Sequence, residues 1–198
     1  MEKTGVLLLN IGTPAEPTPE AVRAFLVKFL NDPYVVDYPK WFWKPILNNI
    51  ILKRRPARVA KKYEQIWWEE GSPLMVCMNN ILNKLGNQMP EMEFALGMLY
   101  TEPSIKQGLA ELMDKGCTEI VLFPLFPQFT HSTSGSIIDN AIRDVEASDF
   151  DGAVKVIRDY HDHPAYIDAV VETIRDHQDQ AGTPDQLVLS YHSIPLRY

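Results

Sequence analysis

The side chains in this sequence best suited to proton transfer or metal binding are histidines that follow apolar runs. His192 comes just after the run Leu187–Ser190. His161 and His163 follow another run and flank an aspartate, which suits either two metal ligands or a turn that starts a helix. The adjacent Pro164 favours the turn. A lone histidine is more often hydrogen-bonded to a neighbouring loop than catalytic. At this point His192 could therefore have either a structural or a catalytic role.

Hydroxyl side chains crowd a second candidate, the loop Gln128–Ser136 around His131. Hydroxyls before a helix either bind an anion together with the helix N-terminus or cap the helix.

A third candidate, Gly12-Thr13-Pro14, follows the first apolar run, but the chain has no GxGxxG or GxxxxGK[ST] motif. Pro14 also lacks the N–H group that would bind a phosphate. We therefore expect no nucleotide site at Gly12-Thr13-Pro14.

Five short apolar runs must position these groups, and each has the pattern of a buried strand. They are Gly5–Ile11, Phe94–Met98, Glu119–Leu125, Ala153–Ile157 and Gln186–Ser190. Helical spacing and caps predict helices between them, including one after Thr18, one over Pro56–Glu70, one begun by Ser72 and Pro73, and one over Pro164–Gln180. Strands that alternate with helices predict an α/β fold with doubly wound parallel sheets, whose ligand sites lie beyond the carboxyl ends of the strands.

Composition limits the class of protein. The 198 residues include 19 basic and 26 acidic residues, a net charge of −7, which disfavours nucleic acid as a partner. Cys77 and Cys117 are far apart, which favours a reducing compartment and argues against zinc or iron–sulfur sites built from cysteine. With neither a signal peptide nor a long apolar run, we expect a cytoplasmic protein that does not span a membrane.

The segment Tyr38–Arg55 is the least ordinary part of the chain, and we call it the apolar lip. Trp41, Phe42 and Trp43 are followed by isoleucines and then by Arg54 and Arg55. The segment suits an amphipathic helix on the core, a flap over a large flat ligand that carries carboxylates, or a shallow membrane contact. Arginine forks bind carboxylates well.

Taken together, these segments resemble the ferrochelatase family over nearly the whole chain. The similar segments are LLLNIGTP, KRRPARVAKKYEQIW with EGSPLMV, ALGMLYTEPSI, LFPLFPQFTHSTSGS and LSYHSIPLRY, in the family's order. The resemblance implies insertion of ferrous iron into protoporphyrin IX to make protohaem. It also implies two Rossmann-like, chelatase-type half-domains with a porphyrin cleft between them. Residues 1–127 would form the first half-domain with the apolar lip, and 128–198 the start of an incomplete second one.

The resemblance also implies roles for particular residues. His192 falls on the family histidine, interpreted as a metal ligand or as the base that accepts pyrrole protons, and a neutral imidazole suits both tasks. Ile11 falls on the position that faces the porphyrin plane opposite that histidine. Residues at positions where the family binds propionates or lines the cleft are Arg54, Arg55, Tyr63, Ser72 and Ser136.

The chain departs from the family pattern in two places. Leu99 stands in GMLY where many relatives have arginine, and the family's second-half glutamate, the partner of His192, has no counterpart. We therefore interpret the chain as an N-terminal portion of the family chain, with an exposed sheet edge, marginal stability and impaired or absent turnover. Ferrous iron would be substrate, with no iron–sulfur cluster and no nucleotide, and the lip segment Trp41–Ile51 would give a peripheral membrane contact.

The alternatives are a chelatase for another metal or tetrapyrrole and a porphyrin-binding protein without catalysis.

Overall fold

The computed structural model describes residues 2–194, which fold around a four-stranded sheet in which all strands are parallel. The strands are β1 (Thr4–Asn10), β2 (Glu93–Met98), β3 (Glu119–Pro124) and β4 (Ala153–Val156), in the spatial order β2-β1-β3-β4. This arrangement, with helices against the sheet, confirms the predicted α/β fold with parallel strands, and it is consistent with a Rossmann-like chelatase fold.

Within residues 2–194, seven α-helices connect or flank the strands. They are α1 (Pro19–Asn31), α2 (Lys40–Ile46), α3 (Leu52–Ile66), α4 (Pro73–Gln88), α5 (Ile105–Asp114), α6 (Ser136–Glu146) and α7 (Pro164–Ala181). Two five-residue π-helical turns, Leu47–Ile51 and His131–Gly135, precede α3 and α6. Capping residues set where two of these helices begin. Oγ1 of Thr18 accepts a hydrogen bond from the Ala21 N–H at the start of α1, and a capping box begins α5.

Strand β1 forms the centre of the core because helices cover both of its faces. Leu7 and Leu9 pack with α5 and α6, whereas Val6 and Leu8 pack with Met78 of α4. A strand buried on both faces needs apolar residues at every position, which explains the uninterrupted run in the sequence.

A separate apolar cluster joins α1 and α3 to the apolar lip. Leu47 and Leu52 are buried in it, together with residues of α1 and Tyr100. The lip therefore has an anchored base, while Trp41 at its tip is 79% exposed.

The predicted helix over Pro56–Glu70 is displaced in the structure. Helix α3 begins at Leu52, because the chain stays helical through the π-turn Leu47–Ile51, and Pro56 lies inside the helix and does not start it. It ends at Ile66, because Trp68 and Gly71 exchange backbone hydrogen bonds of 3.0 and 3.1 Å that close a tight turn.

The predicted fifth strand over Gln186–Ser190 is wrong. Residues 182–194 form no strand, and Leu187, Val188 and Leu189 are 55%, 76% and 65% exposed. Every residue of β4 is also exposed, and α7 buries no residue. An apolar run becomes a strand only where another strand satisfies its backbone groups and another layer covers its side chains, and neither contact is made here.

Within residues 2–194, no helix combines the length and the apolar character that a bilayer-spanning segment requires.

Candidate functional site

The sheet has one point where the strand order reverses, and the candidate site lies there. The chain goes from β1 outward to β2 on one side, then returns to place β3 on the other side of β1. In open parallel sheets the crevice beyond the carboxyl ends of such strands is where ligands bind. The segments that leave β1, β2 and β3 meet at this edge, since Tyr100 and Leu125 donate backbone hydrogen bonds to Ile11 and Leu9.

Ile11 occupies the tip of β1, as the sequence predicted for a residue at the end of the first strand. Its N–H donates to Oδ1 of Asn10 at 2.8 Å, and its carbonyl accepts from the Tyr100 N–H at 3.1 Å. The half-buried side chain packs against two of the three apolar clusters. Such a side chain can press on a flat ligand but cannot bind a metal.

Gly12 turns the chain sharply after Ile11. Its φ of +88° lies in the left-handed region that glycine alone adopts without strain, and a Cβ there would overlap Oγ1 of Thr101. That oxygen is buried without a hydrogen-bond partner among the described residues. The tips of β1 and β2 are thus in direct contact.

Thr13 lies at one wall of a cavity of about 460 Å³, which we call the Thr13 cavity. Its other lining residues include Lys28, Ser72, Met75, Tyr100, Thr101 and Glu102. The buried Ser72 donates from Oγ to Oγ1 of Thr13 at 3.2 Å. Ser72 precedes α4 as predicted, but its side chain makes no capping bond and faces Thr13 instead. Burial raises the pKa of the nearby Tyr63 hydroxyl, while its hydrogen bond with Thr13 acts in the opposite direction.

Ser136 lies fully buried at the start of α6, and its Oγ donates to Oδ2 of Asp32 at 2.5 Å. The Tyr100 hydroxyl donates to the same carboxylate oxygen at 2.6 Å. Burial, followed by the hydrogen bond and the charge of Asp32, raises the pKa of Tyr100 far above its ordinary value. The sequence analysis did not single out Asp32, which follows directly after α1.

The loop around His131 borders a second cavity of about 420 Å³, the Arg158 cavity. Its lining residues are Tyr34, Phe129, His131, Gly135, Ile138, Asp139, Val156 and Arg158. The Arg158 guanidinium lies 3.9 Å from the centre of the Phe129 ring, a cation–π contact. The loop hydroxyls mostly bond to one another, as Thr130 and Thr133 do at 2.6 Å, so they do not cap α6.

Several predicted residues lie away from both cavities. Arg54 and Arg55 are exposed on α3 and line neither cavity. His192 is exposed outside any strand, and its side chain makes no hydrogen bond or ion pair with any residue from 2 to 194. His192 lines neither cavity, and its predicted role stays a prediction.

His161 and His163 belong to the turn that starts α7, which agrees with the turn interpretation. Nδ1 of His163 accepts from the Ala165 N–H at 3.3 Å, and His161 pairs with Asp159 at the same distance. Across the described part of the chain, no three histidine, cysteine, aspartate or glutamate side chains come together as a metal site would require.

Comparison with known proteins gives one consistent result. The ferrochelatase family model matches residues 3–198. The chain is 43% identical over 196 residues to a ferrochelatase of Yersinia enterocolitica, covering 99% of this chain and 61% of the relative. It is 44% identical over 196 residues to one of Vibrio parahaemolyticus, with the same coverage, and 43% identical to one of Pectobacterium atrosepticum over 197 residues, 62% of that protein. The chain thus spans about three fifths of the length of these relatives.

Proposed function

Because this chain belongs to the ferrochelatase family, we propose that it is the N-terminal, porphyrin-binding part of an enzyme that inserts ferrous iron into protoporphyrin IX. Residues 1–127 would be the first half-domain and 128–198 the start of the second. The observation that carries the proposal is the position of Ile11, an apolar side chain at the carboxyl edge of the sheet where the strand order reverses.

A porphyrin has two large apolar faces and two carboxylates at one edge, and the chain offers groups for each. Ile11 and the apolar lip would contact the faces, since the lip carries exposed aromatic side chains above a buried base. Ser72 and Tyr63, which bond to Thr13, would approach the propionates. Arg54 and Arg55 are exposed guanidiniums that would pair with the same groups, and Ser136 would line the cleft.

Metal insertion also needs a base, because two pyrrole N–H protons must leave as the divalent metal binds the four ring nitrogens. We assign this step to His192, which would accept the two protons one after the other and release each to solvent; imidazole also suits iron as a ligand. Ferrous iron is thus a substrate of this reaction. In the described structure His192 is exposed, so the proposal requires this segment to move to the cleft when porphyrin or the rest of the family chain is present.

The first test is a titration of this chain with protoporphyrin IX, followed by Fe²⁺ without oxygen and by Zn²⁺ in parallel. Absorption and fluorescence spectra separate binding from insertion. We expect a porphyrin shift, and any insertion should fall at least about 100-fold in His192→Ala, the usual size of a general-base effect. His177→Ala is the matched control, since His177 is an exposed histidine of α7. A chain that causes no porphyrin shift at all would contradict the proposal.

A porphyrin-binding protein without catalysis is the second candidate, because His192 is exposed and lines neither cavity. It predicts a porphyrin spectral shift with no conversion to the iron or zinc product at any metal concentration. A chelatase for another metal or tetrapyrrole instead predicts efficient insertion only after the metal or the ring is exchanged. The same spectra decide between these outcomes.

We also propose a cytoplasmic location with a peripheral membrane contact through Trp41–Ile51. The exposed side chains of Tyr38, Trp41, Phe42 and Ile50 form an apolar surface beside the lysines and arginines of the lip. Sedimentation with vesicles containing anionic lipid should fall several-fold in Trp41→Ala. Trp68→Ala is the control, since Trp68 is an exposed tryptophan outside the lip. Equal sedimentation of both variants and the parent would contradict this contact.

A further inference from the structure

We propose that Asp32 is a positioning residue that fixes the base of the apolar lip against the loops that follow β2 and β3. The effect on the lip is a property of the fold alone. Only its consequence for porphyrin affinity rests on the proposed function above.

The Asp32 carboxylate receives three hydrogen bonds from three different parts of the chain. Oδ2 accepts from the Tyr100 hydroxyl at 2.6 Å and from Oγ of Ser136 at 2.5 Å. Oδ1 accepts from the backbone N–H of Tyr34 at 2.8 Å. One side chain thus joins the turn that precedes the lip to the loop after β2 and to the start of α6.

The backbone of Asp32 continues the same connection into the lip. Its carbonyl accepts from the N–H groups of Val35 and Val36 at 3.0 and 2.9 Å, which sets the turn that leads from α1 to the lip. Two further contacts support this base: the Tyr34 hydroxyl bonds to Asp139, and Nε1 of Trp43 donates to the Leu30 carbonyl at 2.7 Å. The tip has no comparable anchor, as the exposure of Trp41 shows.

The hydrogen bonds of Asp32 require a carboxylate. Two hydroxyl donors share one oxygen and an N–H uses the other, so both oxygens must accept. An asparagine has one acceptor oxygen and one NH₂ donor group. That donor would face either the two hydroxyls or the Tyr34 N–H, so at least one of the present hydrogen bonds would be lost. Hydrogen bonds to an ionised acceptor are also about twice as strong as neutral ones. No ion pair to Asp32 is formed within residues 2–194, so these three donors stabilise its charge.

Asp32 connects groups that line both cavities, so its hydrogen bonds link the base of the lip to the candidate site. Tyr100 lines the Thr13 cavity and packs its ring edge-on against Phe25 and Phe29, with ring centres 6.1 and 5.5 Å away. Tyr34 lines the Arg158 cavity. Loss of the hydrogen bonds to the Asp32 carboxylate would therefore let the lip move relative to both cavities while the sheet stays intact.

Hydrogen exchange followed by mass spectrometry tests this directly on the 198-residue chain. In Asp32→Asn, peptides covering residues 33–43 should exchange about tenfold faster, whereas peptides of β1 and β3 should exchange as in the parent. Asp114→Asn is the matched control, because Asp114 is an exposed aspartate at the end of α5, away from the carboxyl edge of the sheet. Tyr100→Phe and Ser136→Ala remove one donor each and should give the same local pattern, about threefold, even if Asp32→Asn folds poorly.

Unchanged exchange of the lip in all three variants would overturn the proposal, and so would a uniform increase across the whole chain, since that is the mark of general destabilisation. Asp32→Asn combined with Tyr100→Phe should exchange no faster in the lip than Asp32→Asn alone, because both changes break the same contact. The dissociation constant for protoporphyrin IX should rise about tenfold in Asp32→Asn. If the parent chain binds no porphyrin, the proposed function fails, and lip exchange still decides the role of Asp32.

Discussion

Two apolar tripeptides, one in β1 and one near the end of the described chain, have nearly the same composition and opposite environments. Leu7, Leu8 and Leu9 are fully buried between parallel neighbours, whereas Leu187–Leu189 (Leu-Val-Leu) is exposed and forms no strand. The difference lies in the partners. Strand β1 has β2 on one side, β3 on the other and helices over both faces, while the later run has none of these.

The comparison shows that the closed part of the chain, residues 2–147, should carry the stability, and that the open part, residues 153–194, should contribute little by itself. Only where neighbours exclude water from both faces does an apolar run gain burial energy that exceeds the entropy of ordering it.

The largest expected effect comes from the same substitution made in both parts. Leu122→Ala in β3 should lower the free energy of unfolding by about 2–5 kcal/mol, because Leu122 is fully buried and its loss leaves a cavity. Leu189→Ala should change it by less than about 0.5 kcal/mol. Urea denaturation followed by circular dichroism measures both. Comparable losses in the two variants would show that the open part folds onto the rest in solution.

A second pair concerns two glycines with nearly identical φ angles. Gly12 has φ +88° beside Thr101, and Gly182 has φ +85° at the end of α7 with no atom near its Cβ position. Gly12→Ala should cost about 1–3 kcal/mol from strain at the left-handed conformation, with the overlap on Thr101 added to it. Gly182→Ala should leave global unfolding nearly unchanged, since α7 buries no residue. Thermal melts of the two variants give the comparison, and equal shifts would contradict it.

The local parts of this fold were predictable and the long-range ones were not. The first four strands and the start of α1 follow from apolar runs, prolines and a capping threonine, because these signals act over a few residues. The prediction of a fifth strand failed because its own sequence does not show whether a neighbouring strand and a covering layer are present. In the candidate site, Ile11 was predictable as a strand tip. Asp32 was not, since its hydroxyl donors lie 68 and 104 residues away in sequence.

A third prediction concerns the exposed edge at β4, where Val154 and Val156 face solvent. Exposed apolar strands bind hydrophobic dyes and pair with other chains. Val156→Lys should reduce dye fluorescence and light scattering at high concentration about twofold, with little change in stability. Lys155→Ala on the same strand should not reduce dye fluorescence, since it removes a charge and adds no barrier to pairing. A parent chain that binds no dye and unfolds in one cooperative transition would contradict the idea of an open part.

The smallest effect is expected at the opposite edge of the closed part, where Lys3 and Lys115 flank Glu93. The hydrogen bond from Lys3, at 2.9 Å, and the charges of both lysines hold the pKa of Glu93 below its usual range. A carboxylate with a lowered folded-state pKa stabilises the fold above its unfolded value, about 4.3, and this contribution is lost as the pH falls through the folded-state pKa.

Glu93→Gln should therefore lower stability slightly at pH 7 and flatten the decline of stability between pH 5 and 3. Since these groups are exposed, about 1 M salt should remove most of the difference. Glu146→Gln, which changes one exposed carboxylate outside this cluster, controls for net charge. Urea midpoints of the three proteins against pH measure the effect. An acid decline as steep in Glu93→Gln as in the parent would mean that this edge, like the open part, contributes nothing through its specific contacts.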